Sequence, residues 1–208
     1  MRRQPAFSRQ SRARQIAPKI LVACEGEGEE AYLNAIRIGA RLSKDQIVVL
    51  NEKGTDPFTI VETAVNSKEQ FRREGRWQKQ DTAWAVFDGD EHIDNDPDNW
   101  HRALDYAKAH KVNLAINNPS LELWYLLHFR DQEANIHRDR AIAELKNCYP
   151  TYEKPMCLYP VSLEALSQAI LRASKLEDNN SRHERPFHCN PCAGIFRLVQ
   201  QVLRSQQS

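Results

Sequence analysis

The stretch Lys19-Ile20-Leu21-Val22-Ala23-Cys24-Glu25-Gly26-Glu27-Gly28-Glu29-Glu30 sets an apolar run directly against a run of glycine and acid. Apolar residues in succession, without polar alternation, make a strand covered on both faces, as in a parallel sheet with helices above and below it. The acids then stand at the strand's end. Downstream, Tyr32, Leu33, Ile36 and Ala40 recur at helical spacing within residues 29–42, and residues 46–50 are a second buried strand, which completes a β-α-β unit. The same alternation continues outward. Asp56-Pro57 supplies an N-cap and a first-turn proline for a helix with Ile60, Ala64, Ser67 and Phe71 on one face; residues 82–87 form a third strand, followed at once by Asp88-Gly89-Asp90. Asp96-Pro97 repeats the capping device before a helix carrying Trp100, Ala103, Leu104 and Ala107, and residues 112–116 are a fourth strand. The pattern predicts an α/β fold, a parallel sheet flanked by helices.

From Asn118-Pro119 onward, Leu121, Leu123, Trp124, Tyr125, Leu126, Leu127 and Phe129 leave no polar face, so a helix here has to be deeply buried. The rest of the chain is expected to be helical. Leu163, Leu166 and Ile170 give one stripe, Ile195, Leu198, Val199, Val202 and Leu203 another, and residues 177–181 with the following His/Arg/Pro segment read as a polar loop between them. Three parts follow: a basic flexible arm over 1–18, an α/β core over 19–130, and a helical C-terminal portion over 131–208 packed on that core.

The 208 residues suffice for one domain with a substantial core, and 41% hydrophobic with 27% charged residues excludes a largely disordered chain. No run approaches the roughly 18 consecutive apolar residues that a spanning helix requires. Five cysteines, an odd number, and the lack of an apolar core in the first residues lead to the expectation of a reducing, cytoplasmic setting. The net charge of +1 conceals an asymmetry. Residues 1–24 hold six of the 29 basic residues and no acid, which leaves 23 against 28 in the remainder, a body of −5. A basic arm on an acidic body is suited to a phosphate backbone, whose condensed counterions it releases; a solvated terminus has the same composition.

In an open parallel sheet, functional groups collect beyond the carboxyl ends of the strands. Glu25 follows the first strand, Asp88 and Asp90 the third, and Ser120-Leu121-Glu122 the fourth. Alternate residues of an extended segment share a side, so Asp88 and Asp90 can converge, with Gly89 leaving room between them. Convergent carboxylates suit a hard cation such as Mg2+. Asp as a turn former, and Glu25 or Glu29 as partner of a helix dipole, account for the same residues without a metal. Glu122 resists that account, because it interrupts an apolar segment. His92 stands where it could meet a phosphate or act as an acid, although a solvent-facing loop histidine has the same sequence position. His183, His188, Cys189 and Cys192 can be drawn as a zinc site, but adjacent His188-Cys189 makes tetrahedral closure awkward; a helix start at Asn190-Pro191 and polar groups beside the cleft are the favoured roles. His128 reads as a satisfied core histidine, and Trp77 and Trp84 as core or rim aromatics.

Cys24-Glu25-Gly26, Phe87-Asp88-Gly89-Asp90-Glu91 and the segment from Asn118-Pro119-Ser120-Leu121-Glu122-Leu123-Trp124 to Leu127-His128-Phe129 together resemble the RloB-like proteins, with Asn190-Pro191 and Leu198-Val199 as a weaker C-terminal match. The resemblance runs from about Lys19 to Leu203. It implies a Toprim-like core and a setting in bacterial defence. Toprim domains hold Mg2+ for phosphoryl transfer with a strand-end Glu and a D-x-D pair, which carries over to Glu25, Asp88 and Asp90. OLD-type nucleases add a second acid four residues after the first and a downstream S-x-E, here Glu29, Ser120 and Glu122. The resemblance therefore implies one or two Mg2+ (or Mn2+) ions held by Glu25, Glu29, Asp88, Asp90 and Glu122, with Glu25, Asp88, Asp90 and Glu122 catalytic. Gly28 departs from the related motif, which has Thr or Ser there. Ser120, His92 and Lys53 are the candidate substrate contacts, and Lys53, Lys175 and Arg182 the candidate basic groups.

Two functions are expected from these residues. The first is a Mg2+-dependent nuclease cleaving RNA or DNA in anti-phage defence. The second is a non-catalytic module that binds a nucleotide or nucleic acid and works with a partner protein of a defence system. Nucleotidyl transfer or pyrophosphate chemistry would use the same carboxylates.

Overall fold

The computed structural model describes residues 18–51, 56–90, 92–159, 162–183 and 188–206. Residues 1–17 of the basic arm and Lys53 lie outside them. Four parallel strands, β1 (Ile20–Cys24), β2 (Ile47–Asn51), β3 (Thr82–Asp88) and β4 (Asn113–Asn118), are joined by a short antiparallel strand, β5 (Cys192–Ala193), in the order β2-β1-β3-β4-β5. Helices connect and cover them: α1 (Glu27–Gly39), α2 (Pro57–Arg73), α3 (His92–Asn95), α4 (Pro97–His110), α5 (Leu121–Leu126), α6 (Arg138–Cys148), α7 (Leu163–Asn180) and α8 (Ile195–Ser205). This is the expected α/β fold with a helical C-terminal portion. Among the described residues no helix is long and apolar enough to cross a membrane.

The unbroken apolar character of β1 has its cause in the two-residue repeat of a strand. Ile20, Val22 and Cys24 face one core with Trp84 and Val86 of β3, under α1, α5, α7 and α8; Leu21 and Ala23 face a second core with Ala83, Ala85 and Phe87, under α2 and α4. Both proline-led helices are capped as the sequence predicts. The Asp56 side chain accepts from the Thr59 amide at 3.1 Å, and that of Asp96 from the Asn99 amide at 3.0 Å. Asn99 also donates to Asp56 at 2.7 Å, tying the two helix starts together.

Three expectations need correction. Residues 177–180 are not loop but the last turn of α7, because the buried stripe runs through Leu166, Ala169, Ala173 and Leu176, and Asn180 donates to the Pro191 carbonyl. Leu163, counted in that stripe, is 77% exposed at the helix start. Asn190-Pro191 does not open the last helix: it leads into β5, and α8 begins at Ile195 once Gly194 has passed against β4.

Chain connection fixes the position of a crevice. β1 leads to β2 on one side, and the chain then crosses back to place β3 on the other side of β1. Crossover loops on the two sides depart in opposite directions, so a cleft opens at the carboxyl ends of β1 and β3.

Candidate functional site

Glu25 and Asp88 meet across this switch point. The Asp88 amide donates to Glu25 Oε2 at 3.1 Å, and His92, at the start of α3, places its Nε2 3.3 Å from Glu25 Oε1. Gly89 lets the turn that follows pack closely: a Cβ there would stand 3.1 Å from Asn118 Cβ and 3.2 Å from Ile93, while its amide donates to the Asn117 carbonyl. The ends of β3 and β4 are thus drawn together.

The cleft beyond them encloses about 490 Å³ and is lined by Glu25, Glu27, Glu29, Asp88 and Glu122 on its acidic side. Leu121, Tyr125, Tyr152, Pro155 and Met156 form an apolar wall, and Arg138 and Lys154 bring positive charge. Asp90 lies on a neighbouring depression with His188 and Asn190. Arg138 joins the two, its Nη2 lying 3.1 Å from Asp88 Oδ2 and 2.8 Å from Asp90 Oδ1. The expectation that Asp88 and Asp90 aim at one point is met in this form, with one guanidinium nitrogen at that point.

Burial sets the electrostatics. It pushes the Asp88 carboxyl well above the usual aspartate range, with Glu29 and Glu25 adding to the shift and Arg138 opposing it. Burial also raises Glu29, against a backbone hydrogen bond and with further push from Glu25 and Glu122. Glu122 behaves in the opposite way. Burial alone would raise it, but the Ser120 hydroxyl at 2.6 Å and the Lys154 ammonium at 2.9 Å hold its pKa below the ordinary value. Tyr152 donates to it as well, at 3.0 Å. Glu122 is therefore a buried carboxylate kept ionised by three donors. Ser120, itself fully buried, acts on Glu122 and is not open to the cleft.

The donors fit a hard cation in chemistry. All are carboxylate oxygens, and Asp88 Oδ1 is buried with no hydrogen-bond partner among the described residues. Clustered acids that raise one another are stabilised by added positive charge. The cluster is not a finished cage, for among the described residues no three His, Cys, Asp or Glu side chains are gathered as a metal site. The same holds for the cysteine-rich segment: His188 accepts from Trp100 Nε1 at 3.2 Å, and the Cys192 thiol lies against the Ile116 carbonyl.

Of the basic candidates, Lys175 pairs with Glu133 at the surface and Arg182 follows α7 in an exposed turn; neither lines the cleft. Arg138, Lys154 and Tyr152 were missed. His137-Arg138-Asp139-Arg140 reads as a solvated charge run, and only the long-range packing of α6 on α5 turns Arg138 inward. His128 is a core histidine as expected, its Nδ1 donating to the Trp124 carbonyl at 2.9 Å.

A mostly parallel sheet that gathers buried carboxylates at the carboxyl ends of its central strands, with cations from a C-terminal helical portion, defines an α/β protein with a charged strand-end cleft. The family model described as RloB-like protein matches residues 20–202. The chain belongs to the RloB-like family. No curated protein and no solved structure matches it.

Proposed function

We propose that this protein is a Mg2+- or Mn2+-dependent phosphoryl-transfer enzyme, a nuclease of Toprim type that cleaves RNA or DNA in the cytoplasm as part of anti-phage defence. The observation that carries the reading is Asp88: a buried carboxyl with an unsatisfied oxygen, surrounded by Glu25, Glu29 and Glu122 at the sheet's switch point. Glu25, Asp88 and Asp90 would hold a divalent cation, with Glu29 and Glu122 completing the set or holding a second. A bound cation of this kind lowers the pKa of water and polarises a phosphoryl oxygen.

The chain's own groups have separable tasks. Glu25 fixes the end of β3 through the Asp88 amide. His92, against Glu25, is placed to hold a proton at Nε2 near the strand ends. Lys154 and Arg138 offer charged donors to a phosphodiester. Leu121, Tyr125 and Met156 line one side of the cleft with an apolar wall that a base or sugar of the substrate can pack against. The six basic residues in 1–24 supply backbone affinity that an acidic body lacks.

A second reading has its own support. Glu122 is saturated by Ser120, Tyr152 and Lys154, an arrangement suited to a rigid binding module that senses a nucleotide or nucleic acid and signals to a partner protein. Incubation of wild type and Asp88→Asn with single- and double-stranded RNA, tRNA and DNA in Mg2+, Mn2+ and EDTA separates the two. Divalent-dependent cleavage by wild type alone is expected. Binding without cleavage of any substrate, lost or altered in Asp88→Asn, assigns the module instead.

A further inference from the structure

The place between Asp88 and Asp90 is held by a side chain that comes from 48 and more residues downstream. Arg138 is the first residue of α6, and a single nitrogen, Nη2, makes both contacts. The three side chains are 23%, 10% and 16% exposed, so water screens the bridge poorly and its electrostatics are those of a partly desolvated pair. The loop entering α6 is pinned as well, by Asn190 on Ile136. The guanidinium is therefore delivered to this point by the fold, unlike the surface pairs of Arg72 or Arg76, which are made with neighbours in sequence.

We propose that Arg138 and a divalent cation contend for the Asp88–Asp90 pair, so that this arginine is a built-in counter-cation setting the metal affinity of the site. The inference rests on the metal-holding reading above and deepens it. A cation bridging Asp88 Oδ2 and Asp90 Oδ1 would have to stand where Nη2 now lies, 3.1 Å from one and 2.8 Å from the other, like charge on like charge. One of the two has to leave. Two ligands that exclude each other from one locus are coupled negatively, and removing one strengthens the other by the same factor. The other Asp88 oxygen, Oδ1, has no hydrogen-bond partner among the described residues, so the arginine leaves Asp88 half satisfied and a cation has something to gain.

The test is a Mn2+ titration of the full chain, read from the electron paramagnetic resonance signal of free aqueous Mn2+, on wild type, Arg138→Gln, Arg138→Lys and Asp88→Asn. Arg138→Gln is expected to bind Mn2+ at least about fivefold more tightly than wild type, the low end of ordinary coupling between sites. Without divalents it should melt below wild type, and Mn2+ should raise its melting temperature by more than it raises that of wild type. Arg138→Lys, which keeps a charge but lacks the planar fork, should fall between the two, and it carries the test if the glutamine variant does not fold. Wild-type binding that Asp88→Asn abolishes, with no tightening in either Arg138 variant, overturns the competition and leaves the metal site standing. Wild type that takes up no more Mn2+ than Asp88→Asn overturns the metal reading, and the competition with it.

Discussion

Asn190 grips Ile136 by both of its backbone groups, its side-chain oxygen accepting from the Ile136 amide at 3.0 Å and its nitrogen donating to the Ile136 carbonyl at 2.9 Å. Asn190 precedes β5 and Ile136 precedes α6 by two residues, so the clamp ties the sheet's last strand to the approach of Arg138. Asn190→Ala removes both bonds and leaves two partly buried backbone groups unpaired. The expected loss is about 1–3 kcal/mol of stability, measured by urea unfolding. Asn190→Asp sets a second acceptor against the Ile136 carbonyl and should lose at least as much; a wild-type midpoint for both variants would show that the clamp holds nothing.

Ser120 acts through Glu122. Its hydroxyl is fully buried and donates at 2.6 Å to a carboxylate that is 1% exposed. A hydrogen bond to a buried charged group contributes about 1.5–3 kcal/mol, so Ser120→Ala should lower unfolding free energy by about that amount. Ser120→Thr keeps the hydroxyl but adds a methyl group to a filled core, and should recover part of the loss. If Ser120 instead met substrate directly, the alanine variant would keep its stability and lose only binding.

The sheet was legible because the chain writes it locally. Ile20 to Cys24 has to be covered on both faces, and Asp56-Pro57 and Asp96-Pro97 start their helices with their own side chains. Glu25, Asp88 and Glu122 were legible for the same reason, each standing at the end or start of an element that the pattern marks. β5 is two residues long and has no periodicity to read; it exists because Asn117 and Asn118 have Ala193 and Cys192 beside them. Arg138 and Lys154 carry no local signal either, since a basic residue in a polar run is ordinarily solvated. Their inward turn depends on where α6 and the segment around Tyr152 pack, a property of the assembled fold. The length of α7 is faint in the sequence because small Ala169 and Ala173 carry much of its buried face in place of large apolar groups.

Gly194 brings the backbone of the C-terminal portion close against β4. A Cβ at this position would stand 2.7 Å from the Ile116 carbonyl oxygen and 2.8 Å from its nitrogen, both of them backbone in β4 that cannot rotate aside. Gly194→Ala should force β5 off the sheet edge, at a cost of about 1–3 kcal/mol or more, seen as a lowered melting temperature. Gly28→Ala is the matching control. Its Cβ meets only Leu121, at 3.7 Å, and it lies within α1, so a gain of up to about 1 kcal/mol is expected from helix propensity.

His128 gives the fold a pH dependence of definite sign. Burial pushes its imidazole down to about 4 from the ordinary 6.5, with the Trp124 carbonyl opposing the shift and Arg172 adding to it. A base whose pKa is lower in the folded chain binds its proton more readily when unfolded. Stability from this residue is therefore complete above about pH 6.5 and is lost as pH falls from there toward 4. A depression of this size is worth up to about 3 kcal/mol over that interval. Asn in place of His128 keeps an amide N–H for the Trp124 carbonyl and has nothing to titrate. Urea unfolding at pH 4.5 and 7.5 should show wild type losing more stability on acidification than His128→Asn does. Parallel losses in the two proteins would mean that the imidazole finds water, or a proton, without unfolding.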